Sequence, residues 1–186
     1  MKYIKIRKCD VANGPGVRVT IFVSGCNHHC KGCFNSESWD FNYGNDYTKE
    51  QEDQIIEYLK PDHIAGLTLL GGEPFEEVNR AGLVPLIKRV KKEYPNKDIW
   101  CFTGFKLDEQ IIGEMIEKEN SQTAKEMLNN IDYLVDGRFV LELKDPKLRF
   151  RGSSNQRIIN VKQTLKQNKI ILWDEFEENR LNQDAV

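Results

Sequence analysis

Cys26, Cys30 and Cys33 fall within eight residues, and that spacing constrains the chain more than any other feature. They follow the β-branched run Val17 to Ser24 and share a segment with Gly25, Asn27, His28, His29, Lys31 and Gly32. A strand cannot turn three such side chains to one side, because successive residues point to opposite faces. A loop can wrap them around one compact object. Thiolates are soft ligands, so the object is a metal site, either an iron–sulfur cluster or zinc. Structural zinc usually takes two separated ligand pairs. Here every candidate, including His28 or His29 as a fourth ligand, lies in one loop, so the spacing favours a cluster and leaves zinc as the alternative. The two histidines read as exposed loop residues. In a cubane held by three cysteines one iron keeps no cysteine and is open to a small molecule.

A length of 186 residues suits a single domain with a substantial core. Acidic and basic residues nearly cancel, to a formal net charge of −2, which argues against a nucleic-acid-binding surface. No apolar run approaches a membrane span, and Met1 to Asp10 is charged and alternating rather than signal-like. The expectation is a cytoplasmic protein whose cysteines stay reduced and bind metal. Cys9 and Cys101 stand apart and read as small apolar side chains rather than ligands.

Along the chain, Ile4 and Ile6 alternate with Lys5 and Arg7, a strand signal, and Asn13-Gly14-Pro15-Gly16 is a cluster of turn formers. Val17 to Val23 reads as a buried strand. Asn35 to Asp46, with Trp39, Phe41 and Tyr43, is expected to be irregular and to cover the site. Thr48 with Gln51 forms a capping box ahead of a helix carrying Ile55, Ile56 and Leu59, and Pro61 follows its end. Ile64 to Leu70 is a second strand running into Gly71-Gly72-Glu73-Pro74. Helical spacing then covers Leu83 to Tyr94, with Pro85 placed in its first turn. Asp98 to Thr103 is a third strand, Leu107 to Lys118 and Ala124 to Asn129 are helical, and Ile131 to Val135 is a fourth strand. Arg157 to Lys162 and Ile170 to Trp173 read as further strands. Strands apolar throughout, alternating with helices, imply a parallel sheet covered by helices. The expected architecture is α/β, a single domain over 1–174 built as an open, partial β/α barrel, with a polar tail at 175–186. The candidate functional loops all follow strands, and in parallel α/β folds those ends share one edge.

An open iron asks for a chelating partner, and the amine and carboxylate of an amino acid would close a five-membered ring on it. Gly71 and Gly72 permit close backbone approach, Pro74 fixes the bend, and Glu73 offers an anionic acceptor. With the C-x3-C-x2-C cysteines, this Gly-Gly-Glu-Pro turn resembles the radical S-adenosylmethionine superfamily. Asn13-Gly14-Pro15-Gly16-Val17-Arg18 resembles the activating enzymes of glycyl-radical enzymes. Asp98-Ile99-Trp100, Thr103-Gly104-Phe105, Val135-Asp136-Gly137-Arg138-Phe139 and Arg151-Gly152-Ser153-Ser154-Asn155-Gln156-Arg157 are similar to the activating proteins of anaerobic (class III) ribonucleoside-triphosphate reductases.

The resemblance implies a [4Fe–4S] cluster on Cys26, Cys30 and Cys33, with S-adenosylmethionine on the open iron. It implies that Gly71, Gly72 and Glu73 receive the amino group, and that Gly32, Cys33 and Phe34 lie against the adenine. Gly32 stands where many superfamily members carry an aromatic residue. Thr103 and Asp136 are candidates for holding the cofactor or a nearby cation; capping of turns is the competing role. One electron would cleave the sulfonium and a glycine of the reductase would lose a hydrogen. A flavodoxin-type donor would supply the electron. The alternatives are an activase of another glycyl-radical enzyme and a non-catalytic zinc- or cluster-binding module.

Overall fold

A computed structural model describes residues 1–174; the expected polar tail lies outside the described residues. The chain forms a seven-stranded sheet in the order β3-β1-β2-β4-β5-β6-β7. Its strands are β1 (Lys2–Asp10), β2 (Val17–Val23), β3 (Asn45–Asp46), β4 (Ile64–Gly71), β5 (Asp98–Phe102), β6 (Tyr133–Asp136) and β7 (Arg157–Asn160). The β2-β4-β5-β6 centre is parallel, as expected, while β1, β3 and β7 pair antiparallel at the edges. The sheet is open. Helices α1 (Lys49–Leu59), α2 (Glu77–Glu93), α3 (Gln122–Asn130) and α4 (Val161–Gln167) follow β3, β4, β5 and β7. Among the described residues no helix is long and apolar enough to cross a membrane.

Strand alternation divides the sheet's burden between its faces. Val19, Ile21, Val23, Leu67, Leu69, Ile99, Cys101, Leu134 and Ile159 share one buried core with helix residues such as Ile55, Leu83, Ile87 and Met127. The intervening positions on the other face carry Trp100, Val135 and Ile158, packed against Phe102, Tyr133, Phe150 and Trp173. This second face also holds a charge. Arg18 is 0% exposed and lies over the Trp100 ring. Its guanidinium donates to Thr68 Oγ1 at 2.8 Å and to the Leu67 carbonyl at 3.0 Å, and pairs with the Asp98 carboxylate. Thr68 Oγ1 in turn donates to the Asn13 carbonyl at 2.9 Å, so this network fastens the Asn13–Gly16 turn to the sheet.

Several expected boundaries move. Helix α2 begins at Glu77 rather than near Leu83, which leaves Pro85 inside it instead of in its first turn. The periodicity hid the start because Asn79 and Arg80 are polar yet only 0% and 6% exposed. The expected strand at Arg157–Lys162 stops at Asn160, whose side chain accepts from Gln163 N at 3.0 Å and caps the unforeseen α4. Ile170–Trp173 contributes one bridge, Ile159 to Leu172, and no strand. The capping box of Thr48 and Gln51 is present. Leu107–Lys118 is helical but wound as a π-helix, with Ile111 N donating to Lys106 O at 3.1 Å.

Arg18→Leu should leave Thr68 Oγ1 and the Leu67 carbonyl without the guanidinium donor they share. We expect a loss of about 2 kcal/mol in urea unfolding, the scale of leaving a buried acceptor without its donor.

Candidate metal and cofactor site

The parallel register brings the carboxyl ends of β2 and β4 side by side, Val23 opposite Gly71. Beyond that point the two backbones stay in contact. Gly72 N donates to Val23 O at 2.7 Å and Glu73 N to Gly25 O at 2.8 Å. A Cβ on Gly71 would lie 2.7 Å from the Val23 backbone, and one on Gly72 would lie 2.5 Å from Gly25 O. The glycines are therefore needed for the approach to the cysteine strand itself, a closer constraint than the approach to a ligand expected from the sequence. Asn79 of α2 closes the junction: its buried Nδ2 donates to Ser24 O and to Glu73 O, both at 2.9 Å.

The segment after the cysteines returns to cover them, as its composition suggested. A 3₁₀ turn at Ser36–Trp39 accepts from Gly25 N and Cys26 N, and Ser38 Oγ donates to Gly71 O at 3.2 Å. Cys33 N closes on Cys30 O at 3.1 Å, and Asn35 N donates to Cys33 Sγ at 3.4 Å. Cys26 is buried, while Cys30 and Cys33 are half-buried. All three line one cleft of about 430 Å³, together with Phe34, Gly71, Gly72, Glu73, Thr103 and Gly104. That volume lies within the range of small-molecule sites. Phe22, Leu70 and Phe102, from the second face of the sheet, also line it. Gly32 is exposed beneath Leu141 and does not line the cleft, whereas Cys33 and Phe34 do. Phe34 leans on Phe139, ring centroids 5.8 Å apart, with Lys144 Nζ 4.9 Å from its centroid.

The thiols sit in an environment that opposes charge until a cation arrives. Burial pushes the Cys26 thiol up to about 12, the Glu73 carboxylate adds to the rise, and backbone N–H groups of His28 and His29 pull against it. Burial also raises Cys30, while the Phe139 backbone N–H and the Arg138 guanidinium favour its thiolate. A bound metal cluster would supply the missing positive charge. Among the described residues no three His, Cys, Asp or Glu side chains are grouped closely enough to hold a single metal ion. A cubane asks for a different arrangement, one thiolate at each of three separate irons, and three thiols around one cleft fit that demand.

Glu73 is the electrostatic centre of the other half. It is 1% exposed, and each carboxylate oxygen meets two donors. Phe75 N at 2.8 Å and Thr103 Oγ1 at 2.7 Å reach Oε1; Gly104 N at 2.7 Å and His28 Nε2 at 2.9 Å reach Oε2. Thr103 thus serves the cleft through Glu73. Asp136 does not line the cleft. Its carboxylate accepts from Leu107 N and from Arg157, so it fixes the entry to the π-helix and the β7 edge.

His28 overturns the expectation of two exposed histidines. Its side chain is 4% exposed, whereas His29 is exposed and stacks near Trp39. Cys101 is buried in the helix-side core, as expected, but Cys9 is exposed. Sequence reasoning also left Asn79 and Gln156 unassigned. Gln156 lines the cleft's far side with Phe150 and Arg151, and its Nε2 donates to Gly137 O at 2.9 Å.

An open, mostly parallel α/β sheet with three cysteines of C-x3-C-x2-C spacing at its carboxyl edge defines an iron–sulfur domain. The 4Fe-4S single cluster domain model matches residues 12–159. An anaerobic ribonucleoside-triphosphate reductase-activating protein of Haemophilus influenzae is 47% identical over 160 residues, which is 85% of this chain and 97% of that one. Its namesake in Escherichia coli K12 is 44% identical over 84% of this chain and 96% of its own. The namesake in Enterobacteria phage T4 is 39% identical over 85% and 93%. The chain belongs to the family of anaerobic ribonucleoside-triphosphate reductase-activating proteins.

Cys30→Ala should abolish retention of iron and sulfide after anaerobic reconstitution, while Cys101→Ala should keep both. Loss of iron from Cys101→Ala alone would contradict the ligand assignment. Because the Cys26 proton must leave before iron binds, iron loading should rise as reconstitution is moved from about pH 7 towards pH 9. Loading independent of pH would contradict a protonated, buried ligand.

Proposed function

We propose that this chain is an S-adenosylmethionine-dependent activase, an oxidoreductase that installs the glycyl radical on an anaerobic ribonucleoside-triphosphate reductase. The observation that carries this reading is the meeting of Cys26, Cys30 and Cys33 with the Gly71-Gly72-Glu73 turn and Thr103 in one cleft. The three thiolates would each hold one iron of a [4Fe–4S] cluster and leave the remaining iron for the amine and carboxylate of S-adenosylmethionine. Held by these residues and reduced, the cluster would supply the one electron needed for reductive cleavage of the sulfonium, the chemistry that ends in removal of a hydrogen atom from a glycine of the reductase.

The residues of the chain bind, orient and exclude water. Backbone carbonyls of the Gly71–Gly72 turn are the fitting acceptors for the amino group, because both oxygens of Glu73 already carry two donors. Glu73 then acts by holding the turn and the Thr103–Gly104 corner, and its buried negative charge favours a cation nearby. Cys33 with Phe34, and Phe139 behind it, form the wall available to the adenine, and Gly32 stands outside the cleft. Phe22, Leu70 and Phe102 give the cleft an apolar floor, which limits water at the radical step. A flavodoxin-type donor and a cytoplasmic setting belong to the same reading and rest on the family resemblance.

Anaerobically reconstituted protein, reduced and given S-adenosylmethionine and the purified reductase, should produce a glycyl radical visible by electron paramagnetic resonance. A colourless zinc protein without cleavage would favour the docking-module alternative. A radical on pyruvate formate-lyase but not on the reductase would reassign the target.

A further inference from the structure

His28 lies between two of the cysteines, yet its ring turns away from solvent and into the Glu73 junction. The side chain is 4% exposed, and Nε2 is 2.9 Å from Glu73 Oε2. Glu73 as a carboxylate can only accept, so Nε2 carries the proton. The ring is held from the side by Phe105, edge-on at 4.4 Å between centroids. It is held from below by Gly104, where a Cβ would lie 2.3 Å from His28 Cδ2. Gly104 N and His28 Nε2 are the two donors on Oε2. A second tie runs beside the first: Asn27 donates from its backbone and side chain to Glu76 Oε1 at 3.1 and 3.0 Å. Asn27 is exposed, so that tie is the weaker one.

We propose that His28 is a positioning residue that couples the cysteine loop to the S-adenosylmethionine end of the cleft through Glu73. The proposal rests on the cofactor reading above and adds a residue and a coupling to it. When the loop is seated by its metal, His28 is seated with it. Oε2 then keeps both donors, and the Gly71-Gly72-Glu73 turn and the Thr103–Gly104 corner keep their mutual geometry. Without His28, Glu73 Oε2 keeps only the Gly104 N–H, and the turn must shift, or water enter from the cleft, to supply a second donor. Coupling of this kind is reciprocal, so a filled cofactor cleft also steadies the cysteine loop.

The test uses the full chain, loaded anaerobically with iron and sulfide, and measures the dissociation constant of S-adenosylmethionine from its perturbation of the reduced cluster's paramagnetic signal. His28→Ala should retain its iron and sulfide and weaken binding by about tenfold or more, the scale of a lost hydrogen bond to a charged group. His28→Gln, which can place an N–H near Oε2, should recover most of the affinity, and Gly104→Ala, which displaces the ring, should resemble His28→Ala. Wild-type affinity in iron-loaded His28→Ala would overturn this proposal alone. Loss of iron from both His28 substitutions in a folded chain would make His28 a support of the cluster loop only, and would overturn it too. No binding by the wild-type chain would sink the cofactor reading and the proposal with it.

Discussion

The constraint on which the rest depends is the backbone contact between the ends of β2 and β4. Two parallel strands normally part company once their ladder ends. Here they do not, because Gly72 N and Glu73 N continue to donate to Val23 O and Gly25 O. No side chain fits in the space between them. This contact places a loop of thiols beside a turn of open backbone. It also forces the Glu73 carboxylate inward, where it must find donors, and the structure supplies four from Phe75, Thr103, Gly104 and His28. A carboxylate so satisfied is held in one position, and with it the turn and the corner that frame the cleft.

The two faces of the sheet divide the work. One packs against the helices and supplies most of the burial that makes the domain stable. The other carries Arg18 in its network and an apolar floor under the cleft. The arrangement leaves the carboxyl edge free to hold loops whose shape is set by hydrogen bonds rather than by core packing. Asn79, Ser38 and Gln156 each fix one such loop from a side-chain amide or hydroxyl.

Much of this was legible in the sequence. The three cysteines and the apolar run before them announced a metal loop after a strand, and each later motif followed a strand of its own, so convergence at one edge was foreseeable. What escaped were polar residues that are buried for structural reasons. Asn79 and Arg80 concealed the start of α2, because hydrophobic periodicity counts them as surface. His28 looked like loop, because its value comes from Glu73, 45 positions away, and no local pattern reports such a partner. Asp136 was a candidate for cofactor or cation binding and is instead engaged by Leu107 N and Arg157, a use visible only once β6, β7 and the π-helix are side by side.

The central claim is a cubane held at three corners, with the fourth iron left for S-adenosylmethionine. Mössbauer spectra of the chain loaded with isotopically labelled iron, recorded with and without S-adenosylmethionine, test it most directly. The account predicts that a single iron of the cluster changes its signature when the cofactor is added and the others keep theirs. Identical spectra from an intact cluster in the two samples, or a cluster-free protein that still activates its target, would contradict it.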